Sequence, residues 1–466
     1  LERPQLMLGF EDVEFAASER ITSNYTGSLS VYREQTGEDT FVGGNLALTT
    51  ALLTGEAGSN MAYNAGGNLV VGRPDDAGDV DLTDQDFGAQ IRLSGGTVDI
   101  AGTIAAPSGL LEVRSEGDLT LADGAVIDLS GRPVEFFEEV RHGFGGDLVL
   151  TSLGGSILQS AGSTIDVSAD YSDSGTITAI ANDGRVDLAG TLISGHSPAE
   201  DDEDSADYRG GSVDVRAGEI VDFAGLNQRL NASGFDYLRR FETGAGDLTI
   251  GSEVQAQHIS VTANGGDLTV NGTLRGGGQY AGSIRLAARD NLIVSDGAVL
   301  DASGEELRLD SDGGAIEGAN RALIDLTSTE GHLVLGDGVA MDVGAAGEAL
   351  GTIDFNARRL GGARGNDVAV DAGSGLVVNG AKRVAVNGFW RYDDAPVDPE
   401  DAGGQIVDQA YLDRLHGDST AFIDGALANG ALQSRLAGLR QATGGALQLR
   451  PGIEIVSASE DGNLRV

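Results

Sequence analysis

Four aspartates stand in one recurring context. It reads Ala125-Val126-Ile127-Asp128-Leu129-Ser130-Gly131, then Ser163-Thr164-Ile165-Asp166-Val167-Ser168-Ala169, then Ala298-Val299-Leu300-Asp301-Ala302-Ser303-Gly304, with Val339-Ala340-Met341-Asp342-Val343-Gly344 as a weaker copy. Carboxylates brought together in a pair are what cleavage of a polysaccharide needs, one handling the leaving-group proton and the other serving as base or nucleophile. A catalytic site, however, occurs once, whereas Asp128, Asp166, Asp301 and Asp342 recur at the same place in a repeat. Recurrence assigns them to a turn, where a carboxylate accepts backbone N–H groups at a strand end. On this reading the chain is not an enzyme, and glycan cleavage by another carboxylate pair is the alternative.

Other chemistry leaves no mark. The histidines, His142, His196, His258, His332 and His416, have no metal-ligand spacing, and no H-E-x-x-H, G-x-S-x-G, P-loop or calcium-binding GGxGxD pattern occurs. No catalytic residue, cofactor site or metal site is therefore assigned. With 72 acidic against 30 basic side chains the formal charge is −42, which repels nucleic-acid phosphates and anionic lipid surfaces. The acidity reads as a solvated surface, with divalent-cation binding as the alternative. There is no cysteine, which suits a chain exported unfolded through a narrow pore and folded without disulfide staples. No apolar stretch approaches the length of a membrane helix, so no membrane insertion is expected. Nor do the first residues carry a basic region followed by an apolar run, so the sequence reads as an internal or processed piece of a longer secreted chain.

The elements that must position these residues are repeats. A glycine pair or Gly-Asp, a polar residue and alternating apolar residues return along the chain, as in Gly43-Gly44-Asn45-Leu46-Ala47-Leu48, Gly66-Gly67-Asn68-Leu69-Val70-Val71, Gly246-Asp247-Leu248-Thr249-Ile250 and Gly265-Gly266-Asp267-Leu268-Thr269-Val270. Copies lie roughly 20 residues apart or at multiples of that, within the range of short solenoid repeats. The Asp units follow about ten residues later, each a short period-two strand closed by small turn residues. A sandwich does not require near-identical turns at near-constant intervals, but a coil does, because stacked turns superpose equivalent residues about 4.8 Å apart. The expected fold is all-β: a right-handed parallel β-helix over residues 1–404, a lateral helical hairpin over 405–439, and a return to β-helix over 440–466.

Four stretches interrupt the pattern, and insertions on a regular scaffold are where specific binding usually sits. Residues 132–144 concentrate Phe136, Phe137 and Phe144. Residues 196–209 hold the run Asp201, Asp202, Glu203 and Asp204, read as a solvated loop because consecutive like charges rarely converge on one cation. Residues 226–243 carry Phe235, Tyr237, Arg239, Arg240 and Phe241. The fourth is the helical passage, where Val407, Tyr411 and Leu415 continue into Phe422, Ile423, Ala426 and Leu427. Two helices joined near Gly417 are expected there, with Asp418 or Ser419 capping the second, packed on the body or on Phe389, Trp390 and Tyr392. Binding energy usually resides in aromatic and Arg anchors. The candidate contact surface is therefore Phe136 and Phe137, or Tyr237, Arg239 and Arg240, or Trp390 and Tyr392, with packing against the body the alternative for each.

The GGNLALT, GGDLTVNGTL and AVIDLSG-type units, LTGEAGSN leading into GGNLVV, and the passage VDQAYLDRLHGDSTAFIDGALANGALQSRLAGL followed by LRPGIEIVSASEDGNLRV together resemble the filamentous-haemagglutinin family. These are large exoproteins released by two-partner secretion. The resemblance spans essentially the whole chain, and its helical passage is similar to a C-terminal domain of unassigned function in one subgroup. It implies a secreted protein at the bacterial cell surface, an adhesin or scaffold for attachment to cell-surface glycan or protein, with a passive spacer as the alternative. It also implies an outer-membrane transporter as partner, engaged through a part of the protein other than this segment.

Overall fold

The computed structural model describes residues 4–78, 80–82, 86–137, 139–195, 208–401, 403–458 and 462–466. The acidic run Asp201–Asp204 and His196 lie outside the described residues. Strand outweighs helix, 49% against 10%, and the strands pair overwhelmingly in parallel. The chain divides into two units, Leu1–Ala245 with Glu253–Ala256, and Gly246–Ser252 with Gln257–Val466.

In the first unit the strands form three parallel ladders. The first runs through Gln5–Leu8, Thr26–Tyr32, Asn60–Ala65, Gln90–Gly95, Leu110–Ser115, Asp147–Ser152, Thr176–Leu188, Ser212–Ile220 and Leu238–Thr243. The second joins the near half of Asn45–Gly55 to Asn68–Gly72, Thr97–Ile100, Leu119–Leu121, Ile157–Gln159 and the far half of Thr176–Leu188. The third joins the far half of Asn45–Gly55 to Thr103–Ala105, Val126–Asp128, Thr164–Asp166 and Thr191–Ile193. From Gln90 to Ile193 the chain visits first, second and third ladder in that order, four times over.

The second unit repeats the arrangement. Its first ladder is His258–Ala263, Ser283–Ala288, Leu323–Ser328, Gly351–Leu360, Ala381–Tyr392 and Gln448–Ile455. The second is Leu248–Ile250, Leu268–Val270, Leu292–Val294, Leu333–Leu335 and Val370–Ala372. The third is Thr273–Arg275, Val299–Asp301, Ala340–Asp342 and Val377–Asn379.

Register explains the sequence repeat. Because side chains alternate across a strand, a stacked set keeps one face inward: Leu111, Leu148, Ile177 and Val213 align in the first unit, and Leu268, Leu292, Leu333 and Val370 in the second, all fully buried. Glycine is required where one turn lies on the next. A Cβ on Gly175 would come 1.9 Å from the carbonyl oxygen of Gly146, the glycine stacked on it. At another corner Gly124, Gly297, Gly338 and Gly375 all take positive φ, 66–83°, the region glycine enters without a Cβ penalty.

Two interruptions differ from expectation. Residues 226–243 are not one loop: Phe223–Ala232 form helix α1, which takes the place of a third-ladder strand, and Leu238–Thr243 rejoin the first ladder. In the helical passage α2 spans Gln409–Ala428 without a break at Gly417, and the bend comes at Asn429, whose side chain caps α3 (Gly430–Arg435). Asp418 and Ser419 lie inside α2, buried against the sheet, while Asp408 caps it by accepting from Tyr411 N–H at 2.7 Å. Helix α4 (Ala437–Ala442) leads into Gln448–Ile455, which pairs with Ala381–Tyr392. No helix is long and apolar enough to cross a membrane among the described residues.

Candidate binding surface

The repeated aspartates are engaged by their own turns. Oδ1 of Asp128, Asp166 and Asp301 accepts from the backbone N–H two residues on, at 3.0, 2.9 and 3.1 Å, and from the hydroxyl of that same serine at 2.6 Å. Asp342 accepts from Gly344 N–H at 2.9 Å. Asp128 and Asp166 are also in register. Burial, with Asp128 as a lesser cause, raises the Asp166 carboxyl against the lowering effect of Ser168, and Arg132 pairs with Asp128 at 2.5 Å.

A second set of polar residues carries a role that the sequence reading left blank. The polar residue just before a second-ladder Leu reaches to the next pass of chain: Asn45 Oδ1 accepts from Asn68 N–H (2.9 Å), Asp118 from Ser156 (2.8 Å), Asp247 from Asp267 (2.9 Å), Asp267 from Asn291 (2.8 Å), and Asn291 from His332 (2.9 Å). At the Asp-Gly corner Asp296 accepts from Asp337 and Asp337 from Ser374. The Ser374 N–H, and then its hydroxyl, hold Asp337 below the ordinary carboxylate range. These carboxylates and amides satisfy backbone donors at corners where the strand ladder lapses. The signal was present in the sequence, since Asn and Asp alternate at that one position.

The expected contact residues separate into three situations. Residues 132–144 project a hairpin in which Pro133–Phe136 pairs antiparallel with Glu139–His142. Phe136 ends the first strand, and Phe137 turns the chain at φ 59° with 94% of its surface exposed. Val140 and Phe144 are exposed too, and the His142 ring meets Tyr171 edge-on with centroids 4.6 Å apart. Around residues 237–240, Tyr237 is half-buried with the Arg209 guanidinium 4.9 Å over its ring, and Arg240 is exposed, 3.4 Å from Asp214. Arg239 points the other way, only 1% exposed, and donates to the carbonyls of Phe235, Asn227 and Glu253 and to Asn227 Oδ1. Period two explains the correction: with Phe241 and Thr243 inward, Arg239 is inward also, in register with buried Val213. Tyr392 is likewise unavailable, 3% exposed in a cluster with Ala395, Val407, Tyr411 and Leu415, against which half-buried Trp390 packs. Of the expected aromatic contact residues, Phe137 on the hairpin is the one that is largely exposed among the described residues.

The four described histidines do not converge, and among the described residues no group of three or more His, Asp or Glu is arranged to hold a metal ion. No protein-family model, no curated protein and no solved structure matches the chain.

Proposed function

We propose that the chain is a segment of a secreted bacterial surface exoprotein, built from turns of right-handed parallel β-helix and acting as an adhesin or scaffold in attachment to cell-surface glycan or protein. The recurring order of three ladders supports the coil, and parallel connections are right-handed in nearly all proteins. The single observation that carries the binding role is the hairpin: Val134, Phe137, Val140 and Phe144 are all exposed on an excursion from strands whose inward residues are otherwise closed off. Exposed apolar side chains gathered on one excursion of this kind point to an interaction site. The engagement of Asp128, Asp166, Asp301 and Asp342 by their turns favours binding over cleavage, and export would proceed through a two-partner transporter.

The test is a binding assay of the purified chain on bacterial and epithelial cells, run beside a polysaccharide panel assayed for new reducing or unsaturated ends. Saturable cell binding that falls when residues 133–142 are replaced by a two-residue turn, with every polysaccharide intact, is the expected result. Absence of cell binding would leave only a spacer, and release of sugar ends would make the protein an enzyme.

A further inference from the structure

Beside the hairpin base lies an open cleft of about 490 Å3, lined chiefly by Phe144, Asp147, Ser172, Asp173 and Tyr208, within the roughly 300–1,000 Å3 typical of ligand sites. Three chain segments meet there and are bonded to one another. Gly145 N–H donates to the Asp173 carbonyl at 2.9 Å, Ser174 N–H to the Arg209 carbonyl at 2.9 Å, and Arg209 N–H to Asp173 Oδ1 at 2.9 Å. The Phe144 carbonyl accepts from Ser108 Oγ at 2.7 Å, and Ser174 Oγ donates to the Gly195 carbonyl at 2.8 Å. The backbone of the cleft is thus fixed, yet its side-chain chemistry is unspent. Phe144 is 58% exposed, and neither the Asp147 carboxylate nor the Tyr208 hydroxyl has a hydrogen-bond partner among the described residues. Asp173 has one oxygen committed to Arg209 and the other open.

We propose that this cleft is a carbohydrate-binding site, in which Phe144 and Tyr208 offer ring faces to the C–H face of a neutral sugar while Asp147 and the open oxygen of Asp173 accept from its hydroxyls. A sugar is amphipathic in this way, with one apolar face and a rim of donors, and a rigid cleft with rings beside fixed acceptors matches both. Anionic glycans are disfavoured by the two carboxylates and the −42 charge of the chain. A simple organic cation would be better served by an enclosed aromatic cage with one carboxylate, whereas this cleft is open and offers several acceptors. The proposal rests on the adhesion reading above and names its ligand class and its place.

The experiment uses the full chain on an array of neutral, sialylated and sulfated oligosaccharides, followed by titration of the best neutral binder into the protein and into Phe144→Ala, Asp147→Ala and the near-isosteric Asp147→Asn and Tyr208→Phe. Neutral glycans are expected to bind, with Phe144→Ala and Asp147→Ala each weakening affinity about tenfold or more at an unchanged melting temperature. Should an Ala variant lose stability as well, the two near-isosteric variants decide, and unaltered affinity in both overturns the site. Full glycan affinity in every variant would overturn the cleft while leaving adhesion standing. Cell binding without any glycan binding would overturn the carbohydrate class, and tetramethylammonium competing where neutral sugars fail would replace it with a cation site.

Discussion

Arg239 in the first unit and Arg359 in the second are both 1% exposed, and neither forms an ion pair with a carboxylate among the described residues. Each spends its guanidinium on backbone carbonyls where a helix packs onto parallel strands. Arg239 donates to Phe235, Asn227 and Glu253, fixing α1 and the chain around it, and burial pulls it down to about 10 against the opposing effect of Asp236. Arg359 donates to Gly388 (2.9 Å), Ala363 (2.7 Å) and Gly452 (3.0 Å), reaches Ser419 Oγ of α2, and lies 4.5 Å over the Phe422 ring. The difference is in reach. Partners of Arg239 lie within 14 residues along the chain, whereas Arg359 ties elements 60 and 93 residues away. Arg239 completes a turn of the repeating body, and Arg359 closes a long loop over it.

The comparison fails if the two sites respond alike. Arg239→Ala leaves three carbonyls and Asn227 Oδ1 short of a donor inside the body, an expected loss of about 3 kcal/mol, read as a drop in urea midpoint for the strand signal. Arg239→Met, which restores apolar volume but no donor, should recover only part of that loss; wild-type stability in the Met variant would show the guanidinium to be dispensable. Arg359→Ala should cost less, about 2 kcal/mol, and its effect should be local. Helical circular dichroism at 222 nm and protease resistance of residues 409–442 should fall while the strand transition stays in place. A single cooperative loss of strand and helix together would contradict the division between body and loop.

Those two arginines also show where a sequence ceases to be readable. The parallel ladders were legible because stacked turns demand the same residue at the same place: Asp128 and Asp166, or Leu268 and Leu292, are neighbours in space and copies in sequence. Aspartates in the AVIDLSG-type units were legible as turn residues for the same reason. Arg239 was not, because one substitution into an otherwise apolar register reads as a surface anchor when the strand containing it is taken for a loop. The continuity of α2 through Gly417 was hidden by local propensity, which favours a stop there. Burial of Tyr411, Leu415 and Phe422 on one side of the helix overrides it. The cleft at Phe144, Asp147, Asp173 and Tyr208 was invisible, since its residues are spread over three separated segments; Asp147 read as the polar residue of one more Gly-Gly-Asp-Leu unit, and Phe144 stood out as one of few aromatics.

The smallest expected effect concerns how α2 is held beyond the reach of Arg359. Asp394 accepts from both terminal nitrogens of Arg414, at 2.7 and 2.6 Å, and from the Tyr411 hydroxyl at 2.9 Å. The Arg414 hydrogen bonds lead the causes that hold Asp394 down to about 2, while desolvation, followed by Asp394, pushes Tyr411 up to about 12. A carboxylate whose folded value lies below its unfolded value of about 3.9 adds stability at neutral pH, and that stability is lost as pH falls through the interval between them. The side chains of Arg414 and Asp394 are 43% and 53% exposed, so screening keeps the pair below about 1 kcal/mol. Asp394→Asn should lower the melting temperature at neutral pH by a few degrees at most. The gap between variant and wild type should shrink as pH falls from about 5 toward 2, and it should narrow at high salt as well. Comparing the two proteins at each pH cancels the titration of the remaining acidic residues. A gap that stays constant, or widens in acid, would mean that the Arg414 pair does not hold the helix and that Arg359 and the buried face of α2 suffice.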